Sequence, residues 1–437
     1  MPALSHLLPA IVTLLLIGSI YLFSPNYRLG NERLASPLAG DYLHEWIGGW
    51  IISQGDISRL YDLPYALELQ HDPELVGFEF EQSRYLPMVY PPYYYVLVSP
   101  LSRLPFVTAV WIWNGLMIAA FFAAAGLLLR QFPEQKSAVW LLPAACLFAP
   151  LIESFNSGQK GTVLLLIFAG TYLLLKHQRP FASGLLFGLL AVKPQLAIVI
   201  GLALLCKRDW WFVAGSAVTV TVCAVSAIIL GVDVCQQYVE FSRHVADYIQ
   251  TGGYTLHKSH SWYGFFALLA GTSSGVFVRG STLVAGLMTV VLLAKSLRGK
   301  LDYASPQFAL QFAGLTCGSM LISPHLYTYD LTILLLPMTL LLLPRVRQHL
   351  ETSAVGNANF ATGCVVTLFV AAGIAPAVAA TTHIAIMPLL MFAGVAWIAY
   401  SGCRLPSRAT SSPSPPATEI AAALPPSLTS LPFGGHT

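Results

Sequence analysis

Of the 437 residues, 56% are hydrophobic and 10% charged, against about 25% charged in globular domains, so an ordinary soluble protein is excluded and a polytopic membrane protein implied. The net charge of +3 gives no reason to expect a nucleic-acid partner. Seven scattered cysteines (146, 206, 223, 235, 317, 364 and 403) show neither a CxxC pair nor secreted-scaffold spacing, so neither a zinc site nor a disulfide framework is indicated.

A helix needs about 20 mainly apolar residues to cross the hydrocarbon core. In chain order, candidate spans lie at 5–23, 106–130, 138–152, 161–176, 180–193, 195–206, 210–231, 279–297, 304–322, 327–344, 358–378 and 384–402. Several are short, and 180–193 with 195–206 also reads as one helix broken at Lys193-Pro194, so the count is about twelve. With a cytoplasmic N-terminus, thirteen of the 23 basic residues fall in inside loops, from Arg130 and Lys136 to Arg404 and Arg408. Seven others lie in two long outside segments, 24–105 and 232–278, and only Lys160, Lys193 and Arg279 sit outside in short connections. No small-residue cleavage site directly follows the first span, so it reads as a retained anchor. Residues 1–402 form one transmembrane domain, and the Pro/Ser-rich tail 403–437 is expected to be disordered and cytoplasmic. No internal repeat of the kind seen in secondary transporters is visible.

Within 24–105, Leu43, Trp46, Ile47, Trp50 and Ile51 recur with helical spacing. This predicts an apolar stripe of a helix lying in the membrane interface, with Asp41, His44 and Glu45 on its other face. Asp41 follows Gly40 and is placed to cap that helix as well as to act chemically. Tyr85, Pro87, Tyr90, Pro91 and Pro92 lead into 93–104, too short to cross and expected as a juxtamembrane or re-entrant helix.

Three further polar connections fall on the same outer side: Phe155 to Gly161 with Gln159 and Lys160, Lys193-Pro194-Gln195, and Ser323 to Asp330. Charges beside spans are costly and are functional candidates; Lys193 also reads as a snorkelling lysine. His325 and Tyr329 are spaced to share a helix face. Together these predict an outward polar cavity rimmed by Asp41, Lys160, Lys193, His325 and Arg84, with His44, Glu45, Tyr90, Gln159, Tyr329 and Asp330 in support. P-loop, HExxH, a helix-opening GxGxxG and DxD are all missing. Asp72 and Glu74 could hold a divalent ion but read better as a solvated loop. Soluble nucleotide sugars are cytoplasmic, so an outward site fits a donor carried in the bilayer as a lipid phosphate.

The order of Gly40-Asp41-Tyr42, Gly55-Asp56, Leu60-Tyr61-Asp62, Tyr90-Pro91-Pro92, Pro100 to Pro105, Gly158-Gln159, Gly184 through Lys193-Pro194, and His325 through Asp330 resembles glycosyltransferase family 87, also known as DUF2029. The resemblance covers roughly residues 5–400, most of a domain of this size. It implies a GT-C-type helical bundle in a bacterial inner membrane. Its best-known members are polyprenyl-phosphate-mannose-dependent α-mannosyltransferases of phosphatidylinositol mannoside synthesis. It further implies an inverting transferase that moves a hexose, mannose in those members, from a polyprenyl phosphate to a lipid or glycan acceptor on the extracytoplasmic side. Asp41 matches the position of the family's general base. In one departure, Lys160 follows Gly-Gln directly where the family commonly has Asn shortly after. Phosphate leaves readily, so the chemistry needs cations facing its oxygens, from Lys160, Lys193, His325 or Arg84, and a carboxylate to take the acceptor proton. Neither a cofactor nor a metal is required. Other readings of the sequence are a ligase or phosphotransferase using lipid phosphates, and a transporter or flippase.

Overall fold

The computed structural model describes residues 2–22, 39–80, 85–133, 135–251, 255–352 and 357–402. Arg84 and the tail 403–437, both singled out from sequence, lie outside the described residues. The described chain is helical throughout, and its β pairing is a single antiparallel bridge between Ser259 and Tyr327.

After α1 (Pro2–Leu22), the segment 24–105 holds α2 (Tyr42–Gln54), α3 (Leu63–Gln70), α4 (Pro73–Val76) and α5 (Pro92–Ser102). There follow α6 (Phe106–Leu129), α7 (Leu141–Cys146), α8 (Ala149–Ser157), α9 (Gly161–Lys176), α10 (Pro180–Phe187), α11 (Pro194–Cys206), α12 (Trp210–Leu230) and α13 (Val232–Thr251). The remainder is α14 (Trp262–Ala270), α15 (Val276–Ser296), α16 (Pro306–Ile322), α17 (Leu335–Leu342), α18 (Pro344–Thr352), α19 (Ala358–Thr382) and α20 (Ile386–Gly402). Proline opens α4, α10, α11 and α16, where its missing N–H would have no helical partner. Asp62, Asp72, Asp209, Ser261, Ser305 and Asn357 cap helices through their side chains. Asp72 accepts from the N–H groups of Glu74 and Leu75, so its carboxylate is a cap.

The all-helical, multi-pass character expected from sequence is what the chain shows, but the spans are less uniform. Among the described residues, α6, α12, α15 and α19 are long and apolar enough to cross alone; counting two bent pairs as spans gives up to six. The bends are 55° between Lys136–Cys146 and α8, and 58° between Thr328–Leu342 and α18. The candidates at 161–176, 180–193 and 195–206 are short apolar helices. A helix of 16 residues such as α9 is only about 24 Å long, below the roughly 30 Å core. The chain breaks at Lys193-Pro194 as expected, with a 3-10 turn, Gly188–Val192, closing α10.

Lipid offers no hydrophobic drive between helices, so close backbone approach must supply the packing. At the crossing of α10 and α12, a Cβ on Gly184 would lie 2.1 Å from the Phe212 carbonyl oxygen, and one on Gly215 would lie 2.1 Å from that of Phe181. α16 is enclosed along nearly its whole length, from Phe308 to Leu321, and forms the centre of the bundle.

α2 departs from the one-sided interfacial helix predicted. It is buried on both faces, including His44 and Glu45 as well as Leu43, Trp46, Ile47 and Ile51. The reason is Gly48-Gly49: Cβ atoms there would meet Tyr95 Cδ1 at 2.2 Å and Ser102 Oγ at 2.3 Å. α5 therefore lies across the supposed polar side, while Trp46 Nε1 donates to the Leu104 carbonyl at 3.2 Å.

Candidate active site

The site begins where α8 ends. Gly158 takes a left-handed conformation (φ 71°), and a Cβ there would meet that of Ala39 at 2.5 Å. The chain just before α2 is laced to this turn: Ala39 N–H donates to the Asn156 carbonyl at 2.9 Å and Asp41 N–H to that of Ser157 at 3.1 Å. Tyr42 stacks on Trp113 at 4.6 Å, and Trp113 Nε1 donates to the Gly158 carbonyl at 2.7 Å. Asp41 is thereby fixed beside Gln159, whose Nε2 donates to Asp41 Oδ2 at 3.1 Å.

Asp41 precedes α2 in helical backbone conformation (φ −69°, ψ −20°), and its carboxylate caps nothing. The capping role foreseen for it is thus corrected: a side chain bonding the first turn needs an extended N-cap backbone, and Gln159 holds this carboxylate instead. Asp41 remains half-exposed although protein surrounds it. Burial raises its pKa above the ordinary carboxylate range, the Gln159 hydrogen bond opposes this, and the Glu153 and Glu45 carboxylates reinforce it.

Below Asp41 lie two buried ion pairs. Glu45, one turn along α2, accepts hydrogen bonds from Lys160 Nζ and the Tyr94 hydroxyl. Lys160 sits 3.8 Å from the centre of the Tyr90 ring, a cation–π contact. Burial pulls its pKa down to about 8, against the pull of Glu45, and nearby Lys193 pushes the same way as burial. Lys193 Nζ is 2.6 Å from Asp330 Oδ1 and 5.2 Å from the Tyr329 ring centre. The pairs are neighbours because α9 starts hard against the turn carrying Asp330: a Cβ on Gly161 would lie 2.7 Å from the Tyr329 carbonyl oxygen.

His44 stacks on Tyr90 at 5.6 Å, and burial lowers its pKa to about 3. His325 lies half-exposed at the rim with its pKa lowered to about 4, mainly by burial, so at neutral pH it contributes hydrogen bonding rather than charge. The helical pairing of His325 with Tyr329 is also corrected. Residues 325–327 precede the 3-10 turn Thr328–Leu334, and the rings run His325, Tyr327, Tyr329 at alternate positions, 5.0 and 5.5 Å apart. The bridge of Tyr327 to Ser259 explains this, since backbone paired to another segment is extended rather than helical.

That bridge exposes residues the sequence reading missed. His260 N–H donates to the Leu326 carbonyl at 2.9 Å, and its ring Nε2 lies 3.1 Å from Thr328 Oγ1. Lys258 Nζ pairs with Glu153 Oε1 at 2.9 Å across the rim. The available signal was the polar run His257-Lys258-Ser259-His260 inside the segment 232–278.

Asp41, Gln159, Lys160, Glu45, His44, Tyr90, Lys193, Asp330, Tyr329 and His325 thus gather in one cluster. Among the described residues, Gln159 Oε1 and His44 Nε2 have no hydrogen-bond partner. The arrangement offers a half-buried carboxylate, held by an amide, beside two fixed lysine–carboxylate pairs.

No solved structure matches the chain. The chain is 28% identical over 256 residues to a polyprenol-phosphate-mannose-dependent alpha-(1-2)-phosphatidylinositol pentamannoside mannosyltransferase of Mycolicibacterium smegmatis. The match covers 58% of this chain and 57% of that relative. The model of glycosyltransferase family 87 matches residues 88–324, which include Tyr90, Gln159, Lys160 and Lys193 and stop short of Asp41 on one side and Asp330 on the other. By that match, which spans more than half of its length, the chain belongs to glycosyltransferase family 87.

Proposed function

We propose that this chain is a transferase that moves a hexose, mannose by analogy with the relative's name, from a polyprenyl phosphate to a lipid-linked or glycan acceptor. The reading places the reaction on the extracytoplasmic side, opposite the basic loops. The observation that carries it is the half-buried Asp41 carboxylate, oriented by Gln159 beside the Lys160 and Lys193 pairs.

In this reading the acceptor oxygen attacks the anomeric carbon from the face opposite the phosphate. The bond from that carbon to the phosphate oxygen breaks, and the acceptor proton passes to Asp41. The departing phosphate gains one negative charge as Asp41 loses one, so the buried cluster need not absorb a net change. The raised pKa of Asp41 makes it a stronger base, and Lys160 and Lys193 face the developing charge from positions fixed beforehand. His325 and the tyrosines line the approach.

Membranes containing the full chain are incubated with a panel of radiolabelled polyprenyl-phosphate sugars, and the lipid products extracted. Transfer from one of them, lost in Asp41→Asn with the protein still inserted, is the expected result. Full turnover in Asp41→Asn would remove Asp41 as base, and no transfer from any donor would remove the transferase reading.

A further inference from the structure

At the opposite end of the bundle, α6, α7, α9, α17 and α19 enclose a groove of about 300 Å³. Phe121, Ala125, Leu129, Leu142, Val366 and Phe369 line it, and the polar residue among its walls, Thr339, spends its hydroxyl on the Leu335 carbonyl. Val366 and Val370 are exposed along its edge, so it opens sideways. It is separate from the candidate active site. Its outer end is bounded by the rings of Phe121 and Phe369, which pack on Phe155 and Phe148.

Its other end meets a set of cations. Leu129 ends α6 and is followed by exposed Arg130; Leu342 ends α17, three residues before exposed Arg345. Lys176 ends α9, donates to the neutral Gln131 Oε1 at 2.5 Å, and lies within electrostatic reach of Arg345. Arg347 Nη1 reaches Thr362 Oγ1 at 3.4 Å, one turn from Val365 and Val366 of the groove. Among the described residues, none of these four cations is paired with a carboxylate. Trp140, half-exposed, stands immediately before Leu141 at the same level, where interfacial tryptophans sit at headgroup depth.

We propose that the groove and its cationic rim form a binding site for an anionic phospholipid of the leaflet on the basic-loop side. One acyl chain lies between α7 and α19, and the phosphate rests on Lys176, Arg345 and Arg347. Basic pockets between membrane helices select such lipids because each cation near the headgroup adds attraction that a zwitterionic lipid partly cancels. A free phosphate satisfies the rim but leaves the apolar walls uncovered, so the occupant is the whole lipid.

The full chain is placed in nanodiscs of equal phosphatidylglycerol and phosphatidylcholine, and co-purifying lipid is measured by native mass spectrometry. Phosphatidylglycerol is expected to be retained over phosphatidylcholine by roughly an order of magnitude. Lys176→Gln with Arg345→Gln should bring the two near parity, and Ala145→Phe should lower retention of both. Arg298→Gln with Lys300→Gln, on the same side but away from the groove, should leave the preference intact. Preference surviving the first pair, equal loss in the control pair, or unchanged retention in Ala145→Phe each overturns the proposal. If the variants do not fold, photoactivatable phosphatidylglycerol on the unaltered chain should label 136–147 and 358–370; labelling confined to other segments overturns it as well.

Discussion

Lys258–Glu153 at the rim and Lys193–Asp330 on the floor join the same kinds of group at 2.9 and 2.6 Å. Their surroundings differ: side-chain exposure is 40% and 35% at the rim but 6% and 1% on the floor. Water screens the first pair, which is worth about 0–1 kcal/mol. The second has no water to fall back on, so removing one partner strands a buried charge at about 3–5 kcal/mol. The rim pair can tune the field at Asp41 without holding the fold, and the floor pair holds the fold that aims Asp41.

Asp41 stands between the two and gives the largest expected effect. Asp41→Asn keeps the volume and the Gln159 contact while removing the proposed base, and should lower turnover by roughly 10²–10⁴-fold with melting behaviour unchanged. Single-turnover assays beside a thermal melt check both halves. Next, Lys193→Met should destabilise the chain by about 3–5 kcal/mol, and Lys193→Met with Asp330→Leu by clearly less; if the double variant is as unstable as the single, the floor pair is not acting as a pair. His260→Ala removes the contact with Thr328 and should cost about 1 kcal/mol, with a lowered kcat from the loosened Asp330 turn.

The smallest effects are shifts of the pH profile, and their signs oppose each other. Activity should rise with pH as Asp41 deprotonates, with the midpoint above the ordinary carboxylate range because its pKa is raised. The Gln159 hydrogen bond favours the charged form, so Gln159→Leu moves that limb to higher pH. Glu153 disfavours it, so Glu153→Gln moves the limb to lower pH and changes stability by less than about 1 kcal/mol. Shifts of the same sign in both variants would show that the rim does not act through Asp41.

Much of this was legible in the sequence because charge in an apolar chain is conspicuous. Asp41, Lys160, Lys193 and Asp330 stood out against long apolar runs, and they do meet at one cluster. Their pairing was not legible: nothing local says that Lys160 chooses Glu45 or that Lys193 chooses Asp330. The periodicity of Leu43, Trp46 and Ile47 marked a helix correctly but not its enclosure, which depends on what Gly48 and Gly49 admit from α5. His260 escaped notice because its role arises from a backbone bridge between distant segments, a contact that leaves no periodic trace. The short candidates 161–176, 180–193 and 195–206 are helices as expected, since an apolar run marks a helix more directly than it marks a crossing.

The partners in the site are far apart along the chain: Glu45 waits 115 residues for Lys160, Asp41 waits 118 for Gln159, and Lys193 waits 137 for Asp330. At a synthesis rate of about 5–20 residues per second, the longest of these gaps lasts roughly 7–30 seconds. During biogenesis each early charge must stay hydrated, or be shielded by an insertion factor, until its counter-ion emerges. A nascent chain stalled before residue 330 would carry Lys193 without its counter-ion.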